Sequence, residues 1–323
     1  MKAIVQDRYG SADVLELAAV DQPAPEDDEL LVRVHAAGVD AGAWHLMTGL
    51  PYLIRLAGYG LRKPRQRIRG RELAGRVEAV GRDVTGFRPG DEVYGIGEGA
   101  FAEFARVPQK RAAPKPVNLG FEQAAAVPIS AITALQGLRD KGRLQPGQRV
   151  MVIGAAGGVG SFAVQLAKAF GAHVTGVVST TKTDLARSIG ADEVVDYTRE
   201  DATDGRRRYD LVLDTAGNRP LSSLRRALTS KGTLVIVGGE AEGRWLGGTE
   251  RLLQAGLLSP FVGQRLLGFV AGEGADDLRA LTDLIEAGKV APVIDRTYRL
   301  DQAPEALRYW AEGHARGKVV VTI

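Results

Sequence analysis

One run constrains this chain more than any other. In VMVIGAAGGVGSFAVQLAKAFGA, residues 150–172, an apolar strand enters a glycine-rich turn and leaves it as a helix. A helix N-terminus presents unpaired backbone N–H groups and the positive end of its dipole, so it is suited to hold a phosphate. Glycine lets the backbone approach that anion with no Cβ in the way. Gly157 and Gly160 fit the second and third glycines of a dinucleotide fingerprint. The strict G-x-G-x-x-G is not met, because Ala155 stands first and Gly154 lies one residue earlier. Gly158 and Val159 complete the turn. No G-K-[ST] follows and Lys168 is remote, which excludes a Walker A loop. The competing reading is a structural turn in an α/β protein that binds something else at the same place.

The surrounding pattern favours the nucleotide. RVMVIG (149–154), HVTGVV (173–178), EVVDY (193–197), YDLVLDT (209–215) and GTLVIVGG (232–239) read as short apolar strands. Helical stretches at 161–170 and 183–190 alternate with the first of them, and Gly171 is placed to end the first helix in the left-handed conformation. This is the texture of a parallel sheet covered on both faces. Residues 1–118 read differently. ELLVRVHA (29–36), LAGRVEAV (73–80) and EVY (92–94) look like strands cut by turns at Gly81, Gly86, Pro89 and Gly90. Pro114 and Pro116 mark a domain edge, and residues 121–141 read as one or two helices around Pro128. The fold class expected is α/β: a doubly wound parallel sheet at 119–290, a mostly β domain at 1–118, and residues 291–323 returning to the first domain.

Composition narrows the function. With 323 residues, 45% hydrophobic and 25% charged, the chain can fill two cores. It contains no cysteine, so disulfides, thiolate metal sites and cysteine nucleophiles are excluded. The start MKAIVQDRYG lacks the apolar stretch of a secretory signal, and no run of about 20 apolar residues could span a bilayer. A cytoplasmic enzyme is expected. The net charge of +3 is too small to imply nucleic acid. Basic residues do cluster, at Arg62, Lys63, Arg65, Arg67, Arg69 and Arg71.

The cofactor is read from the end of the second strand. An NAD site usually carries an acid about 20 residues past the turn, for the ribose hydroxyls. Here Ser179, Thr180, Thr181 and Lys182 stand in that region. Hydroxyls and an ammonium suit a 2′-phosphate, which favours NADPH over NADH. Asp184 fits the first turn of the next helix. The alternative is that Ser179 and its neighbours only cap that helix.

With these residues in view, the chain resembles the medium-chain dehydrogenase/reductase superfamily in its zinc-free, quinone oxidoreductase-like branch. The resemblance covers essentially the whole chain. It runs through MKAIVQDRYGSADVLEL, VRVHAAGVDAGAWHLMTG, ELAGRVEAVG, FRPGDEVYG, AAAVPISAITALQGL, GAAGGVGSFAVQLAK, LDTAGN, GTLVIVGG and HARGKVVVTI. It implies a GroES-like β domain and a Rossmann domain, with homodimers built through the latter. It also implies cofactor roles: Thr133 near the nicotinamide ribose; Gly157, Gly158 and Val159 at the pyrophosphate; Ser179, Thr180, Lys182 and Tyr197 at the adenosine phosphate. Gly217, Gly238 and Lys318 would border the cofactor, with a solvated lysine as the other reading of Lys318. Zinc-dependent relatives place a histidine ligand where this chain has Arg71, in GRELAG, and Glu72 alone makes no metal site.

Without zinc, a simple ketone is poorly polarised, whereas a quinone or an α,β-unsaturated carbonyl is electrophilic already. The expected reaction is direct hydride transfer to such an acceptor, with positioning and exclusion of water doing most of the catalysis. Pocket candidates are Asp40, Trp44, His45, Met47 and Tyr52, with Asp40 standing where relatives often have Asn. His45 could donate a proton and Trp44 could stack on a flat acceptor, or both could simply pack. Residues 50–70 read as a basic loop over the site. Two rivals remain: an enoyl-thioester reductase whose arginines meet the thioester's phosphates, and a non-enzymatic NADPH-responsive protein that binds RNA or a partner.

Overall fold

A computed structural model describes residues 1–237, 243, 245 and 247–323. It contains two compact units: Met1–Ile132 with Glu273–Gly288 and Pro292–Ile323, and Thr133–Gly272 with Lys289–Ala291. The division falls at 132/133, beyond the boundary read from Pro114 and Pro116. The reason is local: the short helix after those prolines packs on strands of the first unit.

The first unit contains β1 (Lys2–Val5), β2 (Glu16–Ala19), β3 (Glu29–Val39), α1 (Ala41–Thr48), α2 (Tyr52–Ile54), β4 (Glu72–Val80), β5 (Glu92–Ile96), β6 (Phe104–Pro108), β7 (Ala112–Pro114), α3 (Phe121–Ala125) and the start of α4 (Pro128–Gln136). β1 and β2 form an antiparallel pair. β3 anchors the larger sheet, pairing antiparallel with β4 and with β6. Its Leu30, Val32 and Val34 alternate into the core as the period-two pattern requires. Leu31, on the opposite face of the strand, is also buried.

The second unit runs from the end of α4 through β8 (Arg149–Ile153), α5 (Gly158–Ala169), β9 (His173–Val178), α6 (Thr183–Ser188), β10 (Glu193–Asp196), β11 (Tyr209–Asp214), α7 (Leu221–Arg226), β12 (Leu228–Ile236), α8 (Thr249–Leu258) and β13 (Arg265–Gly268). All pairings in its sheet are parallel, in the order β10-β9-β8-β11-β12-β13. The apolar strand runs leave Met151, Val177, Val212 and Leu234 buried in one core. Burial of each such side chain contributes about 1.5–3 kcal/mol. Gly171 ends α5 at φ 79°, as its position suggested. Strand order reverses between β8 and β11, and in open parallel sheets ligands bind outside the carboxyl ends of the strands at such a switch.

The chain then returns to the first unit as α9 (Ala275–Glu286), β14 (Ile294–Arg299), α10 (Ala303–Ala311) and β15 (Lys318–Thr322). β15 lies antiparallel to β3, with Val319 opposite Val39.

Candidate active site

The glycine turn sits at the switch point of the second unit. Gly157 caps α5 with extended backbone and offers no side-chain hydrogen bond to the helix. The first-turn amides of a helix have no partner within it, so Gly158, Val159 and Gly160 present N–H groups there. A Cβ at Gly160 would collide with the carbonyl of Gly154, and one at Gly154 would meet Thr215 Oγ1 at 2.6 Å. Both positions therefore need glycine for close packing, and Gly154 also needs its φ of 80°.

Across the switch, the turn after β11 is built by Asp214. Its carboxylate is fully buried and accepts from the backbone N–H groups of Ala216 and Gly217 at 3.2 and 3.1 Å. Arg251 donates to its other oxygen at 2.9 Å. Thr215 Oγ1 donates to Ile153 O at 2.7 Å, tying this turn to the end of β8. Gly217 takes φ 70°. Asp214 and Arg251 escaped the sequence reading, although an aspartate closing the apolar run YDLVLD was a visible signal. Gly238 lies outside the described residues. Thr133 lies in α4, partly buried.

At the end of β9, Ser179 and Lys182 stand at N-cap positions before α6, but neither makes a capping hydrogen bond with its side chain. Asp184 does stand in the first turn of α6. Thr180 donates from Oγ1 to Asp196 Oδ2 at 2.5 Å. Asp196, at the end of β10, is a second residue the sequence reading missed, because the acid was sought only on β9. The Thr180 and Thr198 hydroxyls hold its carboxyl below the usual range, with Arg199 at 3.5 Å. Tyr197 beside it is about half exposed, at 53%.

In the first unit, several candidates form a buried polar cluster. Asp40 caps α1, accepting from Ala43 N at 3.0 Å. It is 4% exposed, and its Oδ2 has no hydrogen-bond partner among the described residues. Glu72, on β4, is wholly buried; its Oε2 accepts from Ile129 N at 3.0 Å and its Oε1 from Lys318 Nζ. Lys318 also donates to Val39 O at 3.2 Å and Ser130 Oγ at 3.1 Å. All three N–H donors are thus occupied and the side chain is 2% exposed. This corrects the sequence expectation: Lys318 is neither solvated nor free to meet a cofactor, because the ion pair with Glu72 draws it inside. Burial, with an added push from Asp40, raises the Glu72 carboxyl to about 7 against the pull of Lys318. Among the described residues, no group of three or more His, Cys, Asp or Glu is placed to hold a metal.

The other pocket candidates disperse. Met47 is fully buried in the first unit's core, which corrects its assignment to a pocket. Trp44 packs against that core with its ring 6.3 Å from that of Trp310. His45 Nδ1 lies 2.8 Å from Leu50 O. A carbonyl only accepts, so this nitrogen carries the proton and neutral His45 offers an acceptor at Nε2. The Arg55 guanidinium lies 4.8 Å from the Tyr52 ring and 4.3 Å from that of Tyr9.

The basic run also divides. Arg62, Lys63 and Arg65 are exposed, while Arg67 pairs with Asp7 at 2.6 Å. Arg69 is buried at 3% exposure, donates to Leu46 O, and is pushed down to about 10 by desolvation. Arg71 pairs with Glu273. Arg67 and Arg69 therefore serve the fold rather than a polyanion.

Two family matches cover much of the chain: an alcohol dehydrogenase GroES-like domain over residues 26–117, and a zinc-binding dehydrogenase over residues 189–321. The mitochondrial NAD(P)H oxidoreductase RTN4IP1 of Danio rerio is 33% identical, over 100% of this chain and 91% of its own length. The 2-methylene-furan-3-one reductase of Solanum lycopersicum is 35% identical, over 99% of this chain and 79% of its own. The quinone oxidoreductase of Coxiella burnetii superposes with a TM-score of 0.85 at 27% identity, covering 100% and 99% of the two chains.

Proposed function

Because the chain belongs to the medium-chain dehydrogenase/reductase superfamily and is an NAD(P)H-type oxidoreductase, we propose that it reduces quinones or α,β-unsaturated carbonyls with NADPH and without zinc. The uncapped N-terminus of α5 at the switch between β8 and β11 carries this reading. Gly157, Gly158 and Val159 would hold the pyrophosphate on backbone N–H groups, and Gly217 would border it. Ser179 and Lys182 would take the 2′-phosphate, with Tyr197 beside it. Thr180 serves indirectly, by tying up Asp196 together with Arg199 and so removing a bare carboxylate from the phosphate's surroundings. When bound, the reduced nicotinamide supplies hydride, that is, two electrons with one hydrogen.

Zinc independence is supported by the chemistry of the residues present. Lys318, rather than a metal, neutralises Glu72, and Arg71 stands at the place the family's histidine ligand would fill. We also propose a homodimer through the second unit. Its edge strand β13 and the exposed Leu253 and Leu257 of α8, which packs on β13, support it.

Initial rates of NADPH and NADH oxidation, with a small quinone and with an enone, test the reading. Turnover favouring NADPH by about tenfold or more, the worth of one charge-assisted hydrogen bond, and unchanged after chelation, is expected. Equal use of NADH removes the phosphate site; inhibition by the chelator that zinc reverses overturns the metal-free assignment.

A further inference from the structure

The first unit holds one guanidinium with the attributes of an acceptor-binding group. Arg71 immediately precedes Glu72 and is built into acidic surroundings. Its Nη2 donates to Glu273 Oε1, and Arg111 braces the other oxygen of Glu273 at 3.2 Å. Asp40 lies on its far side, with Gly42 between them: a Cβ at Gly42 would be 2.7 Å from Asp40 Oδ1 and 3.4 Å from Arg71 Nη1. Burial opposes the charge on Arg71, but Glu273 and Asp40 outweigh it and hold the guanidinium above its ordinary value. The side chain is nonetheless 24% exposed, so part of it remains within reach of a ligand. Beside it, Asp40 Oδ2 is a buried oxygen with no donor among the described residues. A fixed, partly exposed cation next to an unsatisfied buried acceptor is a place where an oxygen-bearing ligand would be held.

We propose that Arg71 binds the carbonyl or quinone oxygen of the acceptor and stabilises the negative charge that develops on it, with Asp40 accepting from the hydroxyl where the product is a hydroquinone. This rests on the reductase reading above and names the residue by which that site recognises its substrate. The electron count supports the need for it. When two electrons and a hydrogen arrive at the β-carbon of an enone, the C=C pair shifts and leaves the charge on oxygen. A proton from water then reaches the α-carbon and the ketone re-forms; in a quinone the protonated oxygen becomes a hydroxyl. Arginine suits the task because it stays charged and its planar donors are fixed before the reaction. The site selects acceptors by the oxygen that takes the charge, and it needs no Lewis acid.

Binding of p-nitrophenolate, a stable mimic of the charged oxygen, should be compared with binding of uncharged p-nitroanisole in Arg71→Gln, Arg71→Lys and the parent chain. The parent should prefer the phenolate by about tenfold or more. Arg71→Gln should lose that preference, and Arg71→Lys should retain part of it. In turnover with an enone, Arg71→Gln should lower kcat by about 10²–10³, as loss of an oxyanion donor does elsewhere. Its NADPH affinity should stay within about twofold, since the 2′-phosphate donors lie in the other unit. Equal phenolate preference in the parent and Arg71→Gln overturns the proposal. If the parent turns over neither enone nor quinone but keeps an Arg71-dependent phenolate preference, the reductase reading fails while the oxyanion site stands.

Discussion

Replacing Lys318 with methionine tests how the first unit holds its buried charge. The side chain is 2% exposed and donates to Glu72, Ser130 and Val39. Methionine keeps most of the volume and removes the cation, leaving Glu72 as a wholly buried carboxylate with one N–H donor, from Ile129. Breaking a buried ion pair by removing one member costs about 3–5 kcal/mol. At about 2–4 °C per kcal/mol for a unit of this size, Tm should fall by roughly 10 °C. The pH dependence follows from Glu72. Its carboxyl is raised on folding from 4.5 to about 7, so its contribution to stability is fully present below about 4.5 and is lost as pH rises through about 7. Without Lys318 the carboxyl rises further, so the Tm deficit should widen from about pH 5.5 to about pH 8. Adding Glu72→Gln to Lys318→Met should recover most of the deficit, since paired removal of buried charges is often neutral. Thermal unfolding of the parent, both single variants and the double variant at the two pH values is the assay. A Lys318→Met chain melting within about 2 °C of the parent at the higher pH, or a deficit independent of pH, would refute the buried-pair account.

Other consequences concern the second unit. Gly160→Ala puts a methyl group against the Gly154 carbonyl, so the turn must open; NADPH affinity by fluorescence titration should fall by about tenfold or more. Lys182→Ala should weaken NADPH by about tenfold while leaving NADH within about twofold, because only the 2′-phosphate loses its cation; equal losses would take Lys182 out of the site. Asp214→Asn leaves Arg251 without its anion and weakens the turn bearing Ala216 and Gly217. It should lower stability by about 3 kcal/mol as a broken buried pair, and NADPH affinity with it.

Most of the fold was legible because its signals are periodic and local. β9 matches the expected span, 173–178, to the residue, β3 begins at 29 as its alternation does, and β4 ends at the expected residue 80. Gly171 was readable because its left-handed backbone favours glycine, and the turn because a Cβ at Gly154 or Gly160 has no room. The polar cluster was not. Lys318 reads as a solvated lysine before a strand until β15 pairs with β3 and delivers it to Glu72, nearly the length of the chain away. Asp196 was hidden for a similar reason: the parallel pairing of β9 and β10 sets it opposite Val178, beside Thr180. Arg71 was visible in sequence as a replacement for a metal ligand and as the last member of a basic run. Its clamp to Glu273 depends on a segment that rejoins the first unit after the whole second unit has been traversed. Trp44 and Met47 sit about one and about two helical turns beyond Asp40, and α1 turns them into the core rather than toward a pocket.

The most direct test follows the hydrogen itself. An enone should be reduced with NADPH carrying deuterium at C4, each epimer in turn, and the product examined by NMR. Direct transfer predicts deuterium at the product's β-carbon from one epimer only, with the α-hydrogen drawn from water. Deuterium appearing in solvent, or at the β-carbon from neither epimer, would contradict the hydride-transfer account.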